Sequence, residues 1–317
     1  MLSRILKTAC GLLAFSLSFM SLHAQTPTDG FTMSKGELCL VGAYAQSSWK
    51  EYWEGTRLRE NLNIGTFTSK RIMPMAGYGI TDRWNVFAGL PYISNSSDAG
   101  TMMPKEGWQD ISLDVKFKAF DNKNKKLRLM TFFTAGGSTP VSNYVPDFLP
   151  YSIGLGATTA KLGVVEQVEH QSGLFATLYT GYQMRSKIDV ERSSYYTDRQ
   201  YYSKEMAVPD VWEGSVRIGY NKKLGRIHAA YNWNISTSGT DMRRNDMPYP
   251  GNKMDAQTIS IGGLLWIPPV KGLAVHAMAD QVIAGRNMGK AFTWMAGLQY
   301  VFKPFQKKQK DNETKQQ

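Results

Sequence analysis

DVWEGSVRIGYNKKLGRIHAAYNWNIS, residues 210–236, carries apolar and polar side chains in turn through two runs joined by NKKLG. Trp212, Gly214, Val216, Ile218 and Tyr220 share one parity, and Glu213, Ser215 and Arg217 the other. The second run sets Ile227, Ala229, Tyr231, Trp233 and Ile235 against His228, Asn232, Asn234 and Ser236. A period of two belongs to a β-strand, whose successive side chains point to opposite faces. A soluble sandwich with one buried face would also alternate. Two features count against that reading: the apolar parity is rich in aromatics, and the polar parity carries full charges.

The pattern recurs along the chain. WQDISLDVKFKAF (108–120) places Ile111, Leu113, Val115, Phe117 and Ala119 opposite Ser112, Asp114, Lys116 and Lys118. LFATLYTGYQMR (174–185) and AFTWMAGLQYVF (291–302) behave in the same way. About twelve strands are expected, near 36–48, 66–80, 84–94, 108–120, 127–137, 151–169, 174–186, 210–220, 226–237, 256–267, 273–284 and 291–303. Each is close to the roughly 9–11 residues that a tilted strand needs to cross a bilayer. Lys161 and Glu166 interrupt the alternation of the sixth, which predicts a bulge or a shorter span there.

The connections alternate in length. Long ones fall near 49–65, 95–107, 138–150, 187–209 and 238–255. Short ones fall at 80–83, 121–126, 170–173, 221–225 and 268–272, and the last outer connection, 285–290, is short as well. Long loops on one side and short turns on the other describe an outer-membrane barrel. The expected fold is therefore an all-β, transmembrane, antiparallel up-and-down β-barrel of about twelve strands with periplasmic termini. In lipid, a sheet can span only if it closes, because every backbone N–H and C=O must be paired. Trp84, Tyr92, Trp108, Trp233 and Phe302 lie near strand ends, where aromatic girdles meet the membrane interface. Trp49 and Trp53 fall at similar positions.

The remaining composition fits that class. The chain has 317 residues and a formal net charge of +11. Residues 1–24 read as a signal peptide, with Arg4 and Lys7 before an apolar run and Ala24 before a cut at Gln25. The barrel occupies 25–303. A polar, lysine-rich periplasmic tail follows at 304–317. The mature chain keeps one cysteine, Cys39, so no internal disulfide is expected. Mean hydropathy is −0.34, a value blind to membrane barrels, whose apolar residues come at alternate positions. The basic balance suits an anionic lipopolysaccharide surface and does not point to nucleic acid.

YGITDRWNVFAGLPYI (78–93), WQDISLDVKFKAF and SIGLGATTAKLG (152–163) together resemble, in order, the bacterial outer-membrane family named for the MetA pathway of phenol degradation. FadL-like channels for hydrophobic compounds are more distant kin. The chain departs from the family's second motif by having Gln109, rather than glycine, before Asp110. The resemblance implies an outer-membrane transporter and carries over no catalytic residue. The closing Tyr-Val-Phe at 300–302 resembles the terminal strand by which barrel-assembly machinery recognises its clients.

Function is expected in the lumen. The inward parity supplies Asp114, Lys116, Lys118, Arg128, Arg185, Glu213, Arg217, His228, His276 and Asp280. Lys116, Lys118, Arg128, Arg217, His228 and His276 gather toward the periplasmic half. One reading is a basic vestibule selecting anionic or carboxylated solutes. The other is a mutually neutralised network that plugs a narrow barrel, with Asp114, Glu213 and Asp280 as partners. His276 and Asp280, four apart on one strand, are weak grounds for a metal or acid–base site. No zinc spacing, Walker loop or dinucleotide fingerprint appears, and no cofactor is expected. The tyrosines of 187–209 (Tyr195, Tyr196, Tyr201, Tyr202) fit either a strand extension above the membrane or a contact surface for sugar, lipid or a partner.

Passive passage of a small-molecule solute is the leading functional reading. Its rivals are an outer-membrane hydrolase and a closed structural or adhesive barrel. The three mature-chain histidines, His170, His228 and His276, map near the periplasmic ends, away from the outer rim where barrel lipases and proteases work.

Overall fold

A computed structural model describes residues 26–197, 199–243 and 247–305. The expected signal peptide and most of the expected tail lie outside the described residues.

Twelve antiparallel strands form one closed sheet. They are β1 (Leu38–Trp49), β2 (Phe67–Gly79), β3 (Trp84–Gly89, continued by Tyr92–Ser97), β4 (Lys105–Trp108, continued by Asp110–Asp121), β5 (Leu127–Pro140), β6 (Thr159–His170), β7 (Leu174–Arg185), β8 (Val211–Lys222), β9 (Gly225–Ser236), β10 (Asp255–Trp266), β11 (Leu273–Arg286) and β12 (Phe292–Phe302). Each pairs with its neighbour in sequence. β1 closes the ring against β12, from Leu38 opposite Phe302 to Ser48 opposite Phe292. Closure leaves no free sheet edge, as a sheet in hydrocarbon requires.

The alternation read from the sequence becomes an inside and an outside. Outward side chains such as Leu113, Leu162, Ile218 and Ile261 are each more than half exposed. An apolar belt of this extent is far larger than a water-facing surface tolerates. Its edges carry aromatics: Trp84 stacks on Phe117 at the short-turn end, and Tyr92 meets Trp108 edge-on at the long-loop end. Trp233 lies beside Tyr231 on the same outer face, and Phe302 stacks on Tyr300.

The irregularities have local causes. Pro74 on β2 faces the Leu90-Pro91 break in β3. Neither proline can donate a ladder hydrogen bond, so pairing stops at Ile72–Tyr92 and resumes at Met75–Gly89. A bulge between Lys118 and Phe120 shifts the parity at the end of β4, turning Phe120 outward and Asp121 inward. In β6 the charges do not break the alternation. Lys161, Gly163, Val165 and Gln167 face in, while Glu166 faces out and accepts a hydrogen bond from Thr131.

One expected span needs correction. The sixth strand begins at Thr159, not at 151. Residues 151–158 fold inward over the mouth instead, with Tyr151, Ile153 and Ala157 buried. The loop 187–209 rises as two small ladders, Ile188–Asp189 with Glu205–Met206 and Tyr195–Tyr196 with Gln200–Tyr201. Ile188, Val190, Met206 and Val208 pack on Ala157.

Candidate functional site

The candidate site is the barrel interior, and its two ends differ. At the short-turn end, residues 26–36 enter the lumen ahead of β1. Lys116, on β4, is wholly buried there. Its ammonium donates to the carbonyls of Thr26, Asp29 and Phe31 and to Asp29 Oδ1, at 2.6–3.1 Å. All three of its protons are thereby engaged. Burial opposes ionisation of Asp29, but Lys116, Arg226 and Arg217 outweigh it and hold the carboxyl below its usual range. Asn85 of β3 brackets Met33, accepting from its N–H at 3.0 Å and donating to its carbonyl at 3.2 Å. Phe31 packs edge-on to Phe175 of β7, and the Arg226 guanidinium lies 4.0 Å from the Phe31 ring centre. Gly30 passes so close to Gln167 that a Cβ would fall about 2.0 Å from the carboxamide.

Lys116 therefore does not line an open basic vestibule; it anchors the segment that fills this end. Lys118 and Arg128 also have partners, because both reach Asp121. Arg217 makes no ion pair among the described residues, and its Nε is buried without a partner. His228 Nδ1 and His276 Nε2 are likewise buried and unpartnered, as is Asp280 Oδ1. His276 and Asp280 share the inner face of β11 with no further ligand residue, and no cluster of metal-binding side chains is found among the described residues.

Mid-barrel, the remaining predicted acids are engaged. Asp114 pairs with Lys161 at 2.8 Å, and Glu213 accepts from the Tyr179 hydroxyl at 2.5 Å. Met130, Phe132, Val165 and Tyr179 form a buried cluster on β5–β7.

The long-loop end is roofed but hollow. A cavity of about 530 Å³ lies under the mouth, between the outer ends of the strands and residues 149–157. Arg71 of β2 and Arg185 of β7 line it, together with Asp110 and a set of hydroxyls. Arg185 donates to the Pro209 carbonyl and to Gln183, and Arg71 makes one long contact with Ser69. The roof is fixed by Asn95, which donates to the carbonyls of Tyr151 and Ser152, and by the Tyr151 hydroxyl against Ser97.

Arg185 was legible from parity. Arg71, Arg226 and Asp29 carry no mark in the sequence analysis, although parity places the first two inside, and Lys161 enters it only as an interruption of the sixth strand. Asp29 carried no signal, because nothing in the alternation marks a segment ahead of the first strand as part of the lumen.

The fold is similar to that of an outer-membrane channel from Pseudomonas putida F1, with a TM-score of 0.69 at 14% identity, covering 88% of this chain and 100% of that one. The translocator domain of the autotransporter NalP from Neisseria meningitidis gives 0.46 at 11% identity, covering 95% and 94%. The KdgM porin gives 0.43 at 8% identity, covering 83% and 99%. At these identities the likeness is one of fold. No protein-family model and no curated protein sequence matches the chain.

Proposed function

We propose that this chain is an outer-membrane channel for the passive uptake of small organic solutes, which enter at the long-loop end. The observation that carries the reading is the asymmetry of the lumen. A cavity of about 530 Å³ lies beneath the long loops, while residues 26–36 close the opposite end through non-covalent contacts centred on Lys116. In this reading the long loops are extracellular, the short turns and both termini are periplasmic, and the outer belt contacts lipid and lipopolysaccharide. Barrel-assembly machinery would recognise β12. The narrower kinship with the MetA-pathway type rests on the sequence motifs alone.

The test is permeability of refolded protein in liposomes toward aromatic, aliphatic carboxylate and sugar solutes. Selective flux is expected. No flux through a correctly folded, heat-modifiable barrel would overturn the channel reading in favour of a structural or hydrolytic barrel. The hydrolase reading has little geometry behind it. Among the described histidines, only His170 pairs with a hydroxyl, that of Ser172, and the two form a local turn at the short-turn end.

A further inference from the structure

We propose that the long-loop vestibule is a binding site for amphipathic monocarboxylates, with Arg71 and Arg185 taking the carboxylate and a methionine-rich pocket taking the apolar tail. The inference rests on the channel reading for its biological sense, but not for its chemistry.

Two observations meet. The first is the charge pattern. Among the described residues, Lys116, Lys118, Arg128 and Lys161 each lie within ion-pair distance of an acid. Arg71 and Arg185 line the cavity, and neither has a carboxylate within that distance. Their guanidinium contacts are a serine hydroxyl, a backbone carbonyl and a glutamine oxygen, while the Asp210 carboxylate is bonded by the Arg185 backbone N–H. The one acid lining the cavity, Asp110, is engaged by the Tyr144 hydroxyl at 2.5 Å. Guanidiniums without an acid partner on the wall of a cavity of about 530 Å³ can bind a planar oxyanion through charge-assisted hydrogen bonds.

The second is an apolar compartment next door. A pocket of about 190 Å³ is lined by Met242, Met247, Met254 and Met288 with Ile64 and Tyr52. Trp49, Leu149, Pro150 and Met288 belong to both linings, so the two spaces adjoin. Methionine thioethers are polarisable and flexible, and they adapt to apolar ligands of varied shape. A cationic head beside a soft apolar pocket fits a ligand with one carboxylate and a short hydrocarbon body. A sugar would leave the thioethers unmatched, and an uncharged hydrocarbon would leave the guanidiniums unmatched.

The experiment is calorimetric titration of the full-length barrel in amphipol with hexanoate, 1-hexanol and hexylammonium. Hexanoate should bind at least tenfold more tightly than hexanol, and hexylammonium least. The double variant Arg71→Gln with Arg185→Gln should lose hexanoate affinity by tenfold or more and keep its hexanol affinity. Met288→Asn should weaken hexanoate and hexanol alike. Should the double variant fail to fold, raising salt on the wild type provides the same discrimination, since only hexanoate binding should fall. Equal binding of hexanoate and hexanol to the wild type overturns the proposal, as does a double variant or a salt series that leaves hexanoate untouched. Flux in liposomes is read separately. Hexanoate binding without flux breaks the channel reading and leaves the site standing, whereas flux without discrimination of the head group does the reverse.

Discussion

The two walls of this barrel are built from the same alternation and behave as different materials. Strands β3–β7 present Phe87, Met130, Phe132, Val165, Phe175 and Tyr179 to the lumen, all buried. Strands β8–β12 present Arg217, His228, His276 and Asp280, with the two histidine rings packed directly against Gly262 and Gly297. The first wall is close-packed, and most contacts of residues 26–36 are made to it. The second carries more of the buried polar atoms without protein partners, also including Ser215 Oγ and Gln299 Nε2, against Asn95 Oδ1 and Gln167 Nε2 on the first. Such atoms each cost roughly 1–3 kcal/mol unless water reaches them. The contrast is one of lining: largely apolar on the first wall and largely polar on the second.

The harshest test of the contrast removes the anchor on the packed wall. Lys116→Ala leaves the Asp29 carboxylate buried and unpaired, a loss on the order of 3–5 kcal/mol. The barrel should persist by heat-modifiability while residues 26–36 become accessible to protease and conductance rises. Pairing Lys116→Met with Asp29→Leu should restore much of the docking, because a matched apolar pair carries no orphan charge. A segment that stays protected in Lys116→Ala would show that Asn85 and the Phe31 contacts suffice.

Next comes a matched pair of substitutions, one on each wall. Phe132→Ala empties a fully buried site and should cost roughly 3–5 kcal/mol in urea unfolding. His228→Leu replaces an unsatisfied ring by an apolar group and should stay within about 1 kcal/mol of the wild type. Equal losses at the two positions would mean that both walls are cores. The polar wall should instead respond in transport: Asp280→Asn should shift planar-bilayer reversal potentials toward anions while leaving the unfolding midpoint nearly unchanged.

The division between inside and outside was written in the sequence, whereas the division between the two walls was only partly so. Ile218 and Arg217 declare their faces by parity, and the twelve strands follow. The loop-to-turn alternation orients the barrel. Pairing across the lumen is another matter, because it depends on tilt and closure. Nothing near Lys116 announces Asp29, which is 87 residues away in the chain. Lys116, Lys118 and Arg128 therefore look like one basic cluster in the sequence, whereas in the fold Lys116 pairs with Asp29, and Lys118 and Arg128 share Asp121. Residues 151–158 misled for a similar reason. Their apolar character is real, but it is spent on covering the mouth rather than on a strand.

The contrast extends to the loops, which gives two smaller predictions. Over the packed wall the mouth is held by Ala157, Ile188, Val190, Met206 and Val208. Over the polar wall it is held by hydrogen bonds converging on Asn287, a buried residue at φ 52°. Its side chain accepts from the N–H groups of Gly55 and Met242 and donates to Asp241 and to the Lys253 carbonyl, at 2.7–3.1 Å. Asparagine tolerates that left-handed conformation better than most residues. Asn287→Ala should therefore cost roughly 1–3 kcal/mol of loop stability through lost partners and backbone strain. Faster amide exchange at Gly55 and Met242 is the expected sign, with the strands unchanged.

The last and smallest effect belongs to Asp241. The Arg286 guanidinium, bonded to it at 2.6 and 2.7 Å, with help from Asn287, depresses its carboxyl from 3.8 to about 2. The folded value lies below the unfolded one, so the pair contributes its full stability above about pH 4 and loses it as pH falls toward 2. Both side chains are partly exposed, so solvent screening should limit the contribution to about 1 kcal/mol or less. Amide exchange at Met242 should thus be flat from neutral pH down to about 4, once corrected for intrinsic rates, and rise only below it. Asp241→Asn should remove that acid-side rise and nothing else. A profile that bends nearer neutrality would place the control of this loop with a group other than the Asp241–Arg286 pair, and the polar side of the mouth would then be held by something besides its hydrogen bonds.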